Sequence, residues 1–387
     1  MPNKKYSLIT SGKFHYFEIA KILYERNQLS KIISGYPWIK VSKESIPKKF
    51  VKNFGFHQIL THFLHKIPKI NLDKLIDEID YINKKKLDFE ASKYMNDTDI
   101  LISSAQSGVN TGNIIKYKNK IYICDQSSAN IFFEDGLINE EFKSLNINRN
   151  KNFHKGMMDR ALEEYNNSNY IMVPSNYVKK TFDKKYHSKI FVNNFGIDTK
   201  KFYPLPEENL NNEFFNIVYI GAISIRKGVH YLIDAFNKLK YSKKKLHLIG
   251  SHIKADIEFF KRKLNQENII NYGHVPNIQL NSILNKCDVF ATATLSEGFA
   301  MVINQAIASG CPVIVTENSG AKEYVEQNNC GFVVPIQNSQ IIYDKLTLLL
   351  DDKELLKKIT QNCIKSGNSN TWEKYVNRLN EFISSKI

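Results

Sequence analysis

A rhythm of short apolar runs separated by helical patterns, begun near the N-terminus and begun again past the middle, constrains this chain more than any other feature. In the first half the runs fall at residues 7–10, 32–34, 100–103, 121–124 and 171–173, with a helical pattern over 14–26 after the first. The rhythm restarts at 216–220 and continues through 246–249, 269–272, 289–293, 312–316 and 331–334, with helices over 229–240 and 302–309 between. Strands spaced by helices predict parallel βαβ units. Two such series predict two consecutive parallel-sheet domains, for which 387 residues suffice. The join falls near 195–213, where Pro204, Pro206 and a Glu/Asn-rich run mark a linker. From residue 370 onward Trp372, Tyr375, Leu379, Phe382 and Ile383 recur at helical spacing and predict one closing helix. The expected domains are therefore 1–195 and 196–370, with 371–387 as that helix.

Composition narrows the function classes. No run of 18 apolar residues occurs, so no spanning helix is expected. The opening MPNKKYSLITSGKFHYF lacks the apolar run and small-residue cleavage site of a secretory signal, which gives a cytoplasmic expectation. Five cysteines, Cys124, Cys287, Cys311, Cys330 and Cys363, form no C-x-x-C pair and read as buried free thiols. His57, His62 and His65 cluster in sequence but sit in a basic, aromatic stretch and read as surface residues, so no metal site is expected. The net charge of +15 is uneven: residues 1–195 carry 31 Lys and Arg against 20 Asp and Glu, the remainder 23 against 19. Such a balance attracts phosphates. No nucleic-acid motif accompanies it, and phosphate-bearing small molecules or lipid account for it better.

The most informative segment runs from Ser296 to Val315, S-E-G-F-A-M-V-I-N-Q-A-I-A-S-G-C-P-V-I-V. A strand ends near Ala293, a turn carries Glu297 and Gly298, and a helix begins near Met301. The unsatisfied N–H groups and dipole of such a helix start favour an anion, and a diphosphate is the natural guest. Gly298 permits close backbone approach, and Glu297 is placed to accept hydrogen bonds from sugar hydroxyls. Gln305, eight residues on, is about two turns away. A second segment, Ile220 to Phe236, places Arg226, Lys227 and Gly228 between a strand and a helix.

These segments resemble the donor-site signatures of glycosyltransferase family 4. The pattern E-x7-E followed by A-x-A-x-G-x-P-V-I is met by Glu297 and by the run from Ala306, with Gln305 at the second acidic position. The family's phosphate-holding Arg and Lys, five residues apart, correspond to Ala222 and Lys227, so the arginine is missing and Arg226 stands ready to replace part of its charge. Y-I-M-V-P-S-N-Y-V from Tyr170, N-N-F-G-I-D from Asn193 and Y-G-H-V from Tyr272 extend the resemblance over at least residues 170–335. It implies an α/β GT-B fold: two Rossmann-like domains facing across a cleft, with the C-terminal helix crossing back to the first. It further implies a donor site of Gly221, Gly250, His274, Val275, Gly298, Phe299, Ala300, Met301, Val302 and Gln305, with Glu297, Lys227 and Arg226 doing the chemistry.

The first half matches less tightly. Gly12 and Lys13, in the turn after the first strand, correspond to a loop that in relatives approaches the donor diphosphate. His15 and Asp125 read as acceptor-side groups. Asn130 replaces the histidine of a D-R-G-S-S-H…L-L-x-E-E segment that the run from Cys124 to Glu141 resembles, and is the third.

The resemblance implies a retaining, metal-independent enzyme with no cofactor. It would move a hexose-type sugar from a UDP-, GDP- or ADP-sugar to a glycan or lipid-linked acceptor, in cell-surface polysaccharide or glycolipid synthesis. Residues 36–69 hold seven lysines, one acidic residue and interleaved aromatics, which predicts a peripheral contact with an anionic membrane on its inner face. The departures at Ala222, Gln305 and Asn130 keep a second reading open, a non-catalytic nucleotide-sugar binding protein of the same fold.

Overall fold

A computed structural model describes residues 4–54, 73–149, 152–206, 213–253 and 256–386. The chain divides into two units. The first comprises Met1–Asp135, Lys151–Asn194 and Trp372–Ile387; the second comprises Gly136–Asn150 and Phe195–Thr371.

In the first unit seven parallel strands form one sheet: β1 Tyr6–Thr10, β2 Leu29–Ser34, β3 Val51–Asn53, β4 Ile100–Ser104, β5 Ile121–Asp125, β6 Tyr170–Val173 and β7 Ile190–Val192. Their spatial order is β3-β2-β1-β4-β5-β6-β7, so the winding reverses between β1 and β4. The residues of β1, β2, β4, β5 and β6 are buried on both faces almost throughout, and this is why they read as apolar runs without alternation. Two strands escaped the sequence reading. V-K-N in β3 and I-F-V in β7 are three residues each, too short to show a period.

The second unit repeats the plan with six strands: β8 Phe215–Ile220, β9 Lys244–Ile249, β10 Ile269–Gly273, β11 Val289–Ala291, β12 Val313–Thr316 and β13 Gly331–Val334. Their order, β10-β9-β8-β11-β12-β13, again reverses beside the first strand. In open parallel sheets ligands bind outside the carboxyl ends of the strands at such a reversal.

The tail forms the helix Trp372–Ser384, which falls in the first unit. Its Tyr375 and Leu379 are fully buried, Asn380 Oδ1 accepts from the Tyr6 hydroxyl at 2.6 Å, and Arg378 Nε donates to Asn193 Oδ1 at 2.9 Å. Residues 136–150 do not follow a continuous 1–195 boundary, since they group with the second unit. The cause is visible in their side chains: Phe142, Leu145 and Ile147 pack on that unit's core, and Glu141 accepts from His230 and Tyr231 at 3.0 and 2.9 Å.

All five cysteines are buried free thiols. No described helix is long and apolar enough to cross a membrane. Of the basic stretch 36–69, residues 55–69 lie outside the described residues, as do His57, His62 and His65.

Candidate functional site

The turn after β8 and the loop after β11 are built to touch. Gly228 has φ +61, and a Cβ there would lie 1.8 Å from the Ala293 carbonyl oxygen, so only glycine lets the backbones meet. Leu295 N–H donates to Arg226 O at 3.1 Å, and Asp256 Oδ2 accepts from Ile225 N–H at 2.8 Å, fixing the turn from the other side. The loop after β11 is held by its neighbours across the sheet. Asn318 Nδ2 donates to Leu295 O at 2.9 Å, Glu297 N–H to Asn318 O at 3.0 Å, and Thr316 Oγ1 to Thr294 O at 2.7 Å.

This contact brings Lys227 and Glu297 together as an ion pair, although they lie seventy residues apart in sequence. Each side chain is 16% exposed, buried enough for charge to matter and open enough to meet a ligand. Arg226 stands beside them, donating from Nη1 to Ser296 O at 3.2 Å. Burial pushes the Glu297 carboxyl upward, but Lys227 and Arg226 outweigh it and hold the group below its usual range. Glu297 is thus ionised, and two cations facing one carboxylate leave the cluster net positive.

The other donor-side candidates from residue 221 onward fall in the same unit. The helix Met301–Ala308 starts directly beyond, with Ala300 at its cap position and no side chain capping it, so its first N–H groups face outward. Ala300, Met301 and Val302 are half-buried, whereas Gly298 and Phe299 are buried, the latter edge-on to Phe195 at 5.9 Å. Gln305 lies inside the helix face, 9% exposed, and its Oε1 is buried with no hydrogen-bond partner. Gly221 N–H donates to Ile249 O and Gly250 N–H to Gly273 O, both at 2.8 Å, which aligns the ends of β8, β9 and β10. His274 is exposed and Val275 half-buried just beyond that edge. The fully buried Tyr219, whose hydroxyl donates to Ala222 O at 2.8 Å, supports the floor. Sequence inspection missed this tyrosine, because a strand tyrosine reads as core.

The acceptor-side candidates fall in the first unit. His15 Nε2 and Asp125 Oδ2 are 2.9 Å apart, with side chains 2% and 1% exposed, and the Tyr16 hydroxyl donates to the same oxygen at 2.7 Å. The His15 ring lies parallel to Trp372 at 6.0 Å. Asn130 caps the helix Ile131–Ser144, its Oδ1 accepting from Phe132 N–H at 2.9 Å. Lys13 is exposed and paired with Glu44 at 2.5 Å, and Gly12 O accepts from Thr10 Oγ1 at 2.7 Å. Among the described residues no cluster of His, Cys, Asp and Glu has the geometry of a metal site.

Comparison with known proteins gives a family match in the second unit and neighbours for the fold. Residues 205–366 match the family model for glycosyl transferases group 1. The chain is 28% identical over 211 residues to an uncharacterized glycosyltransferase of Methanocaldococcus jannaschii, a match covering 54% of this chain and 58% of that one. It is 32% identical over 174 residues to the capsular polysaccharide biosynthesis glycosyltransferase CapM of Staphylococcus aureus, 43% of this chain and 45% of the other. The chain thus spans about half the length of the curated relatives it matches. Among solved structures, Anabaena HepE in complex with UDP and glucose superposes with a TM-score of 0.71 at 16% identity, covering 98% of this chain and all of that one. Sucrose-phosphate synthase from Thermosynechococcus elongatus superposes with a TM-score of 0.71 at 14% identity, over 99% and 98%. The fold is GT-B, with two Rossmann-like α/β units.

Proposed function

We propose that the chain is a retaining, metal-independent glycosyltransferase that moves a hexose-type sugar from a nucleotide diphosphate donor to a glycan or lipid-linked acceptor. The observation that carries this reading is the half-open Lys227–Glu297 pair beside the uncapped start of Met301–Ala308, inside the segment matching the group 1 family model.

An ammonium has three donors and the ion pair engages Lys227 through one carboxylate oxygen, so phosphate oxygens find further N–H groups there and at the helix start. Arg226 adds a second cation in place of the arginine that Ala222 replaces. The Oε1 of Gln305 lacks a partner, and a ribose hydroxyl reaching it would satisfy it. Glu297, kept ionised, would accept from hydroxyls of the transferred sugar. The bond between the anomeric carbon and the leaving phosphate oxygen breaks as the acceptor oxygen bonds to the same face. The acceptor proton passes to the departing diphosphate. The protein's share is then stabilisation of the leaving group and orientation, without a covalent intermediate on Glu297.

The homologue of Staphylococcus aureus is named for capsular polysaccharide biosynthesis, and cell-surface polysaccharide or glycolipid synthesis is the context proposed here. A cytoplasmic protein held peripherally to an anionic inner membrane face by the basic stretch 36–69 belongs to the same proposal. The test is to incubate the protein with UDP-, GDP- and ADP-sugars and candidate acceptors, following free nucleotide and the anomeric signals of the product. Nucleotide release with retained configuration is expected. An inverted product refutes retention, and donor binding without release in any pairing leaves a binding protein.

A further inference from the structure

Glu141 is a buried carboxylate of the second unit that takes no part in the proposed reaction. It lies near the end of the helix Ile131–Ser144, in the segment that groups with that unit, and its side chain is fully buried. His230 Nε2 and the Tyr231 hydroxyl donate to its Oε1 at 3.0 and 2.9 Å, and Gln337 Nε2 donates to its Oε2. Burial pushes the carboxyl upward, yet the hydrogen bonds from His230, Gln337 and Tyr231 outweigh it and hold the group below its ordinary value. Adhesion alone does not explain a charge at this place. Phe142, Leu145 and Ile147 already pack the segment on the core, and an apolar side chain at 141 would bury without the cost of desolvating a carboxylate. What a carboxylate adds is direction, because it fixes the side chains that donate to it.

Two of the side chains so fixed belong to one turn. His230 and Tyr231 lie in the first turn of the helix Val229–Lys238, which follows directly on Arg226, Lys227 and Gly228. That helix start is poorly provided by its own sequence. Gly228 stands at the cap position with no side chain to cap it, and the first turn holds no acidic residue. Negative charge near a helix start is favourable, and Glu141 brings it there from 89 residues earlier in the chain. The backbone joins the anchored side chains to the cations. Tyr231 N–H donates to Gly228 O at 2.9 Å, Gly228 N–H to Ile225 O at 2.8 Å, and Lys227 N–H to Ser224 Oγ at 3.3 Å. Asp256 holds Ile225, so two acidic residues grip the turn from its two ends.

We propose that Glu141 is a positioning residue for the donor phosphates: by anchoring His230 and Tyr231 it fixes the turn from Ile225 to Tyr231, and with it Lys227 and Arg226. The link to the phosphates rests on the transferase reading, whereas the hold on the turn does not. A loose turn presents the same two cations in many arrangements, and the ligand must then meet the entropy of ordering them. A turn already ordered by Glu141 binds a diphosphate more tightly with no added contact to it.

The test compares the full wild-type chain with Glu141→Leu and Tyr231→Phe by amide hydrogen exchange and by calorimetric titration with UDP, GDP and ADP. Exchange at residues 225–231 should rise about tenfold or more in Glu141→Leu and by a smaller factor in Tyr231→Phe, relative to the amides of β8 and β12. A merely structural loss raises exchange in the turn and the strands alike. Nucleotide affinity should fall about fivefold or more in Glu141→Leu. The same change made in a Lys227→Ala background should cost less than about twofold, the non-additivity of a residue that acts through Lys227. Unchanged exchange at the turn, an equal rise in the strands, or a loss of affinity undiminished without Lys227 overturns the proposal. If the Lys227→Ala background binds too weakly to titrate, the exchange ratio decides. If Glu141→Leu does not fold, Tyr231→Phe decides by the same measures. If wild type binds none of the nucleotides, the transferase reading falls, and exchange at the turn alone decides whether Glu141 holds it.

Discussion

A His–Asp pair in the first sheet and a Lys–Glu pair in the second have opposite fates. Each starts in the turn after a first strand: His15 meets Asp125 at the end of β5, two strands from β1, and Lys227 meets Glu297 in the loop after β11, the neighbour of β8. The first pair is closed over. Tyr16 donates to it, Trp372 lies parallel to the imidazole, and neither side chain exceeds 2% exposure. The second is more open, each side chain 16% exposed, with Arg226 and the start of a helix beside it. A buried pair with every oxygen engaged organises the fold, whereas an accessible pair with spare donors can exchange partners with a ligand. The turn after the first strand therefore supplies a closed clasp in one unit and a candidate anion site in the other.

The comparison is broken most severely by Lys227→Ala. Loss of the cation nearest the developing charge should lower kcat/KM for nucleotide release by about 10²- to 10³-fold, with a much smaller change in Tm. A loss below threefold would place the chemistry elsewhere. Asp125→Ala should show the reverse pattern. It strips the acceptor from both His15 and Tyr16 and should cost about 3 kcal/mol in denaturant unfolding, while nucleotide affinity in the folded protein is kept. If that variant is as stable as wild type and has lost turnover, the clasp is itself catalytic.

Arg226→Ala sharpens the open side. Its guanidinium is the second cation at Glu297, and a fall in kcat/KM of about tenfold is expected. Unchanged turnover would remove it from the site. The smallest effect concerns acid stability. Glu297 titrates below its ordinary 4.5 in the folded chain because Lys227 and Arg226 overcome the effect of burial. The unfolded state therefore binds the proton more readily, and the pair contributes stability that is full above that value and lost as pH falls through the lower folded one. Glu297→Gln should flatten the acid limb of a stability–pH curve in that window, and an unchanged limb would show the pair to be thermodynamically silent.

The local structure of the candidate site was legible in the order of residues. The strand–turn–helix at Glu297 is a local feature, since a helix start is dictated by neighbours in sequence, whereas Gly228 is required by the approach of Ala293, 65 residues on. The nearness of His15 to Asp125, 110 residues apart, was not legible, and both had been read as acceptor-side groups. Asn130 was read as a polar contact, but its local duty is to cap a helix. Residues 136–150 appear continuous with the first half until Phe142 and Glu141 are seen packed with the second unit.

The sequence by itself determined two parallel-sheet units, the placement of their main strands, and the strand–turn–helix at Glu297, because apolar periodicity acts over a few residues. Only the tertiary structure decided which charges meet and which of the two pairs stays open. Those facts depend on contacts between residues tens to hundreds apart, where burial and the satisfaction of polar groups are settled together.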